Sequence, residues 1–200
     1  MKKVVLGLFV AAAVLMGAAS AQAQVIKLSL WGDICVPNED YTGGVELAIG
    51  TQTRAVDGVQ LGLIYSQTDK LQGVQWGLVK DTEDGTGVQL GLVNLAQDFK
   101  GVQWGLVNWT RGDLTGVQLG FVNVMRGTAT GAQLGFVNYS EDITGLQWGF
   151  VNYADTAKGL QLGFVNWANN MNGGVQIGLV NVIKNAPHFL PAFIIFNFGF

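Results

Sequence analysis

Nine glutamines, Gln60, Gln75, Gln89, Gln103, Gln118, Gln133, Gln147, Gln161 and Gln176, recur at intervals of 14 or 15 residues. A primary amide offers hydrogen-bond donors and an acceptor but neither charge nor a nucleophile, so such a row can line or recognise and cannot by itself catalyse. Groups that could catalyse are sparse. His188, in "IKNAPHFLP", is the single histidine, and one imidazole without a base or a ligand cluster reads as a solvated turn residue. Cys35, in "GDICVP", is the single cysteine; it excludes an internal disulfide and reads as a chance thiol. The carboxylate pairs Glu83-Asp84 and Glu141-Asp142 lie in polar runs among other ions and read as solvated turns. The glycines are spaced for strands, with no helix start to receive a phosphate. "NWT" at Asn108 and "NYS" at Asn138 match a glycosylation pattern only because the repeat ends in Asn. No catalytic residue, metal site or cofactor is expected, and the chain is not expected to be an enzyme.

The elements that must position the glutamines are copies of one eight-residue unit, "GVQLGLVN" at Gly87 to Asn94, starting at Gly58, Gly73, Gly87, Gly101, Gly116, Gly131, Gly145, Gly159 and Gly174. Numbering slots from the first Gly, slot three is Gln and slot five Gly in all nine copies, and slot eight is Asn in seven. Slot two carries Val, Ala or Leu, slot four Leu, Trp or Ile and slot six Leu or Phe, so bulk alternates with Gly and Gln at the period of two that a strand has. Polar runs such as "KDTEDGT", "TRGDLT" and "SEDIT" separate the copies and read as turns. From Gly58 on, no charge falls in slots one to seven. A degenerate copy, "GVELAIG", begins at Gly44, and two further strands flank the array, Val25 to Gly32 and Ala192 to Phe200.

Residues 1–23 combine Lys2 and Lys3 with an apolar stretch and end in Ala21-Gln22-Ala23, the pattern of a secretory signal peptide. A single repeat-built β domain is then expected over 24–200. The formal net charge is −3, and loss of the two leader lysines takes it to −5, which excludes a nucleic-acid partner. No later stretch is long and apolar enough for a membrane helix, so a membrane span would have to be built from strands.

Two architectures use a repeated strand. A parallel β-solenoid would wind each copy as one coil, with the bulky row in its interior and Gln and Asn stacked as ladders; the polar connections offer little for a second apolar wall. An antiparallel up-and-down transmembrane β-barrel of about 12 strands would turn the bulky row to outer-membrane lipid and the Gln and Gly row to the lumen. A tilted strand of ~9–11 residues plus a short turn matches the period, and pairs of copies repeat every 29 residues, as hairpins would. The expected fold is therefore the all-β barrel, with the solenoid as alternative. The nine Gln would line a neutral lumen that could pass small polar solutes. The aromatics at slot nine (Trp109, Tyr139, Tyr153, Trp167) would form an interfacial girdle only if a bulge near Asn re-aims them.

The C-terminal row Ala192, Ile194, Phe196, Phe198 and Phe200 resembles the assembly signal of bacterial outer-membrane β-barrels, which implies barrel-assembly machinery as a partner and the bacterial outer membrane as location. The repeat over Gly58 to Asn181 resembles a bacterial surface-repeat family of GVQxGLVN-type units. That resemblance implies a secreted or surface-located protein; some relatives are lipoproteins, but this chain lacks their signal and lipid anchoring does not carry over. The function expected is a porin-like passive pore or structural surface component, the alternative a secreted solenoid acting as an interaction or scaffold protein without a pore.

Overall fold

The computed structural model describes residues 26–32, 34–186 and 192–199; the leader, His188 and Phe200 lie outside the described residues. Strand follows strand with hardly a break, as β1 (Ile26–Trp31), β2 (Ile34–Val36), β3 (Tyr41–Leu90), β4 (Val93–Thr110), β5 (Leu114–Ile183) and β6 (Ala192–Gly199). Three of these are far longer than any straight strand, because the chain keeps its ladder hydrogen bonds while it turns corners. Copies meet in parallel and in register: Gly87, Val88 and Gln89 pair with Gly101, Val102 and Gln103, and these pair with Gly116, Val117 and Gln118. The molecule is a parallel β-solenoid in which each copy and its connection form one turn.

This corrects the expected transmembrane β-barrel. In a barrel, neighbouring copies run in opposite directions and could not pair Gln with Gln in parallel register; here they do. The porin-like expectation falls with it, and the outer-membrane lipid and assembly machinery lose the barrel that implied them. The solenoid alternative also needs correcting, because its bulky row faces outward and its glutamines inward. Every Gln of slot three and every Asn of slot eight is buried, as is slot ten in every turn but the first, where Thr68 stands one position later, and in the first eight turns so is one residue three or four positions further on. Slots three and eight differ in parity, so alternation breaks at slot seven, where the chain turns. The second and third walls therefore need only one or two inward side chains each, such as Thr110 with Leu114 or Ala154 with Ala157. The polar connections supply that much.

Two glycine slots make the close stacking possible. The first Gly of eight copies has φ between +124° and +141°, a region that L side chains rarely adopt. A Cβ at Gly131 would lie 1.9 Å from the carbonyl oxygen of Gly116. Slot five is Gly because the Asn of the preceding turn lies over it: Cβ atoms at Gly120 and Gly135 would lie 2.6 Å from Nδ2 of Asn108 and of Asn123. The extra residue of the longer turns is taken up on the outside, between Thr110 and Leu114 in one turn and at Gly173 in another. No inward ladder is displaced.

Both ends of the stack are covered. At one end β1 pairs in parallel with the first turn of β3, and β2 folds back antiparallel on β1. At the other, β6 pairs antiparallel with the last turn, placing Asn197 beside Gln176. Terminal covers of this kind remove the open ladder edges that a repeat stack would otherwise expose.

Candidate functional site

The interior is built from two amide ladders running in opposite directions. Each Gln donates its Nε2 to Oε1 of the Gln one turn earlier, as in Gln103 to Gln89 at 2.8 Å and Gln133 to Gln118 at 2.8 Å. Each Asn donates its Nδ2 to Oδ1 of the Asn one turn later, as in Asn108 to Asn123 and Asn138 to Asn152, both 2.8 Å. Slot ten adds hydroxyls where it is Thr or Ser: Thr82 donates to Gln75, Thr110 to Gln103 and Ser140 to Gln133. Dispersal of buried amides into chains in which each polarises the next is the arrangement that makes a polar interior tolerable.

The Gln ladder ends on a carboxylate. Glu46 fills slot three of the degenerate copy, is fully buried, and accepts from Gln60 Nε2 at 2.8 Å, from Ser29 at 2.8 Å and from Thr51 and Thr53. Lys27 Nζ lies 3.7 Å away. Burial pushes the Glu46 carboxyl up, but hydrogen bonds from Thr51, Gln60 and Ser29 and the Lys27 charge outweigh it and hold the group below its ordinary range. At the far end Gln176 Oε1 and Asn197 Nδ2 are both buried without a partner, although they are register neighbours. The Asn ladder begins two turns late: its inward position holds Ser66 and then Lys80, and Lys80 Nζ donates to Gly62 O at 2.8 Å and Ser66 Oγ at 3.2 Å. Burial holds the Lys80 ammonium down at about 8, and Asn94 Oδ1 beside it has no partner.

The nine predicted lining residues are thus enclosed, but they are hydrogen-bonded to one another and packed against the opposite walls. Asn108 and Asn138, the two apparent glycosylation acceptors, are fully buried in the Asn ladder. Of the predicted assembly signal, Ile194 and Phe196 are exposed on β6 and Phe198 is half-buried. Glu83, Asp84 and Asp142 are exposed in turns and Glu141 half-exposed. Among the described residues no cluster of three or more metal-ligating side chains occurs. Cys35 Sγ lies 3.7 Å from Asn38 Oδ1. The slot-nine aromatics do turn outward, because the corner at slot seven changes the parity; Tyr139 and Tyr153 stack at 5.2 Å.

What the sequence reasoning missed is the outer surface. Slots four and six of all nine copies share one wall and form two parallel ridges along the solenoid. Trp104 is 63 % exposed, Trp148 61 % and Phe121 57 %. Phe121, Phe136, Phe150 and Phe164 stack ring on ring at 4.8–5.0 Å with planes within 7°, so the wall is nearly untwisted here. Between the ridges runs a groove of about 450 Å³, bounded by Trp76 and Trp104, with Gly91 in its floor and Leu90 and Leu92 beside it. The uncharged slots that suggested lipid contact are the signal that could have found this face without a barrel.

The fold places this molecule among single-chain parallel β-solenoids with an amide-laddered interior and an apolar outer wall. No protein-family model, no curated protein and no solved structure matches the chain, so these comparisons lend the surface-repeat resemblance no support.

Proposed function

We propose that the chain is a solenoid interaction module, a rigid scaffold that presents one broad, uncharged apolar wall for docking, and that it works outside the cytoplasm as the leader pattern over residues 1–23 suggests. The observation that carries this reading is the exposure of slot six in all nine turns, joined at slot four by Trp76, Trp104, Trp148 and Ile177. Soluble monomers rarely leave a contiguous apolar patch larger than a few hundred Å² uncovered, and this one extends over nine turns. The inward ladders do not need the bulky residues, so Trp and Phe at those slots serve nothing inside the fold.

Hydroxyl-radical footprinting tests the reading. Modification of Trp76, Trp104 and Trp148 is measured in the cells that make the protein and in the purified chain diluted to low concentration. The indoles should be several-fold less modified in place than in the dilute chain, while the turn aromatics Tyr139 and Tyr153 change little. Equal modification of the wall in both settings would show that nothing docks there.

A further inference from the structure

The apolar wall has a size pattern that identifies its occupant, and resting on the docking role above we propose that it is a second copy of this chain, laid face to face with the two solenoid axes antiparallel. A two-fold axis in the plane of the interface, crossing the fifth of the nine turns, sets the first turn against the ninth, the second against the eighth, and so on. In the slot-four ridge this places Trp76 against Leu162 of the other copy, Trp104 against Leu134 and Trp148 against Leu90. In the slot-six ridge, Phe136, Phe150 and Phe164 meet Leu106, Leu92 and Leu78. Large therefore meets small in six of the ten pairings, Leu61 with Ile177, Leu63 with Leu179 and Leu119 with its own mate are small against small, and the one large pair is Phe121 with its symmetry mate on the axis. The groove between Trp76 and Trp104 is lined by Leu90, the position that receives Trp148. With the axes parallel instead, each turn would meet its own number, and Leu90 would face Leu92 across an unfilled hollow.

Area and charge agree. Turns stacked ~4.8 Å apart, with a wall of about five residues at ~3.3 Å each, give a footprint of roughly 700 Å² per copy, close to the ~800 Å² per partner of a standard stable interface. No charge lies in slots one to seven, so identical walls do not repel. A lipid surface is the weaker occupant, because membrane-lying elements carry a basic rim and this chain has a net charge of −3.

The test is sedimentation of the purified chain without detergent, with circular dichroism to confirm folding. The full-length sequence from residue 24 should be dimeric at micromolar concentration. Trp148→Glu should weaken association by at least about 30-fold, as loss of an interface anchor does, with its spectrum unchanged because the side chain is exposed. Leu90→Trp should also weaken it by filling the hollow, and the exchange Leu90→Trp with Trp148→Leu should restore it, since the two-fold axis simply swaps the pair. A monomeric wild type, a dimer indifferent to Trp148→Glu, or an exchange that fails to rescue overturns the proposal. A monomer that binds phosphatidylglycerol vesicles through Trp148 also overturns it. Protection of the indoles in cells together with a monomeric purified chain would leave the docking role standing and remove only this partner.

Discussion

Lys80→Asn should make the protein more stable at neutral pH and less stable at high pH. Lys80 occupies the Asn slot of the second turn and is fully buried, and its hydrogen-bond acceptors, Gly62 O and Ser66 Oγ, are neutral. Burial holds its ammonium at about 8 against an ordinary 10.5. Below pH 8 both folded and unfolded chains are protonated and the fold carries the whole penalty, roughly 3 kcal/mol at ~1.4 kcal/mol per tenfold. Between about 8 and 10.5 the unfolded chain binds more protons than the folded one, so wild-type stability rises with pH across that window. Asparagine removes the penalty, and its Nδ2 meets Asn94 Oδ1, now buried without a partner, for about 1 kcal/mol. Against this, two acceptors lose their donor and a small void opens, together about 2–3 kcal/mol. The balance favours the variant by about 1–2 kcal/mol at pH 7, and at pH 10.5, where the ammonium cost has nearly gone, favours wild type by a similar amount.

Guanidinium unfolding of both proteins at pH 7 and pH 10.5, followed by far-ultraviolet circular dichroism, measures the two differences. The swing of about 3 kcal/mol between them is the sharper quantity, because void and hydrogen-bond contributions cancel from it. A difference that does not move with pH would show that Lys80 is not held uncompensated in the interior. A variant less stable at pH 7 would show that Asn94 cannot accept the extended ladder.

Three further outcomes are expected. Gln118→Leu removes the donor to Gln103 and Thr110 and the acceptor for Gln133; the orphaned groups should cost about 2–5 kcal/mol in denaturant unfolding. Gly131→Ala combines a φ of +139° with a Cβ 1.9 Å from Gly116 O, and should cost about 3 kcal/mol or more, seen as a large fall in thermal midpoint or loss of the soluble fold. The Glu46 carboxyl is held below its ordinary range, so its stabilisation is complete above the usual 4.5 and is lost as pH falls through the lowered value; hydrogen exchange near Thr51 and Thr53 should accelerate in acid before that near Asn138, and Glu46→Gln should flatten this difference.

How much of this was legible depends on which slots are asked. Slots two to six alternate, and alternation alone is the same in a barrel and a solenoid: both put Gln89 on one side and Leu90 and Leu92 on the other. The even 29-residue pairing of starts suggested hairpins, yet it arises because turns of 14 and 15 residues happen to alternate in sum. The discriminating positions were Asn94, Ala96 and Phe99, whose inward set breaks the period of two and so betrays corners. They looked like the edge of a turn because single small or polar side chains suffice on such narrow walls. The Asn slot was the clearest signal: a fixed Asn is hard to explain beside lipid and easy to explain as a ladder. The assumption that misled was that a solenoid must put its apolar bulk inside. Here Gln fills the interior because an amide can bond to its copy above and below, which Leu cannot.

That inversion bears directly on the outer wall. Since the ladders and the backbone pairing hold the stack, the Trp and Phe residues are not needed inside, and their sizes vary while the Gln row does not. Trp appears at slot four in only three of nine turns, whereas Gln appears at slot three in all of them. The stacked Phe rings from Phe121 to Phe164 are already ordered by their neighbours, so little side-chain freedom remains to be lost when a partner covers them. A rigid, uncharged wall whose slot-six row changes from Leu to Phe at the fifth turn suits a partner that is equally regular, and an antiparallel second copy sets Phe136, Phe150 and Phe164 against Leu106, Leu92 and Leu78.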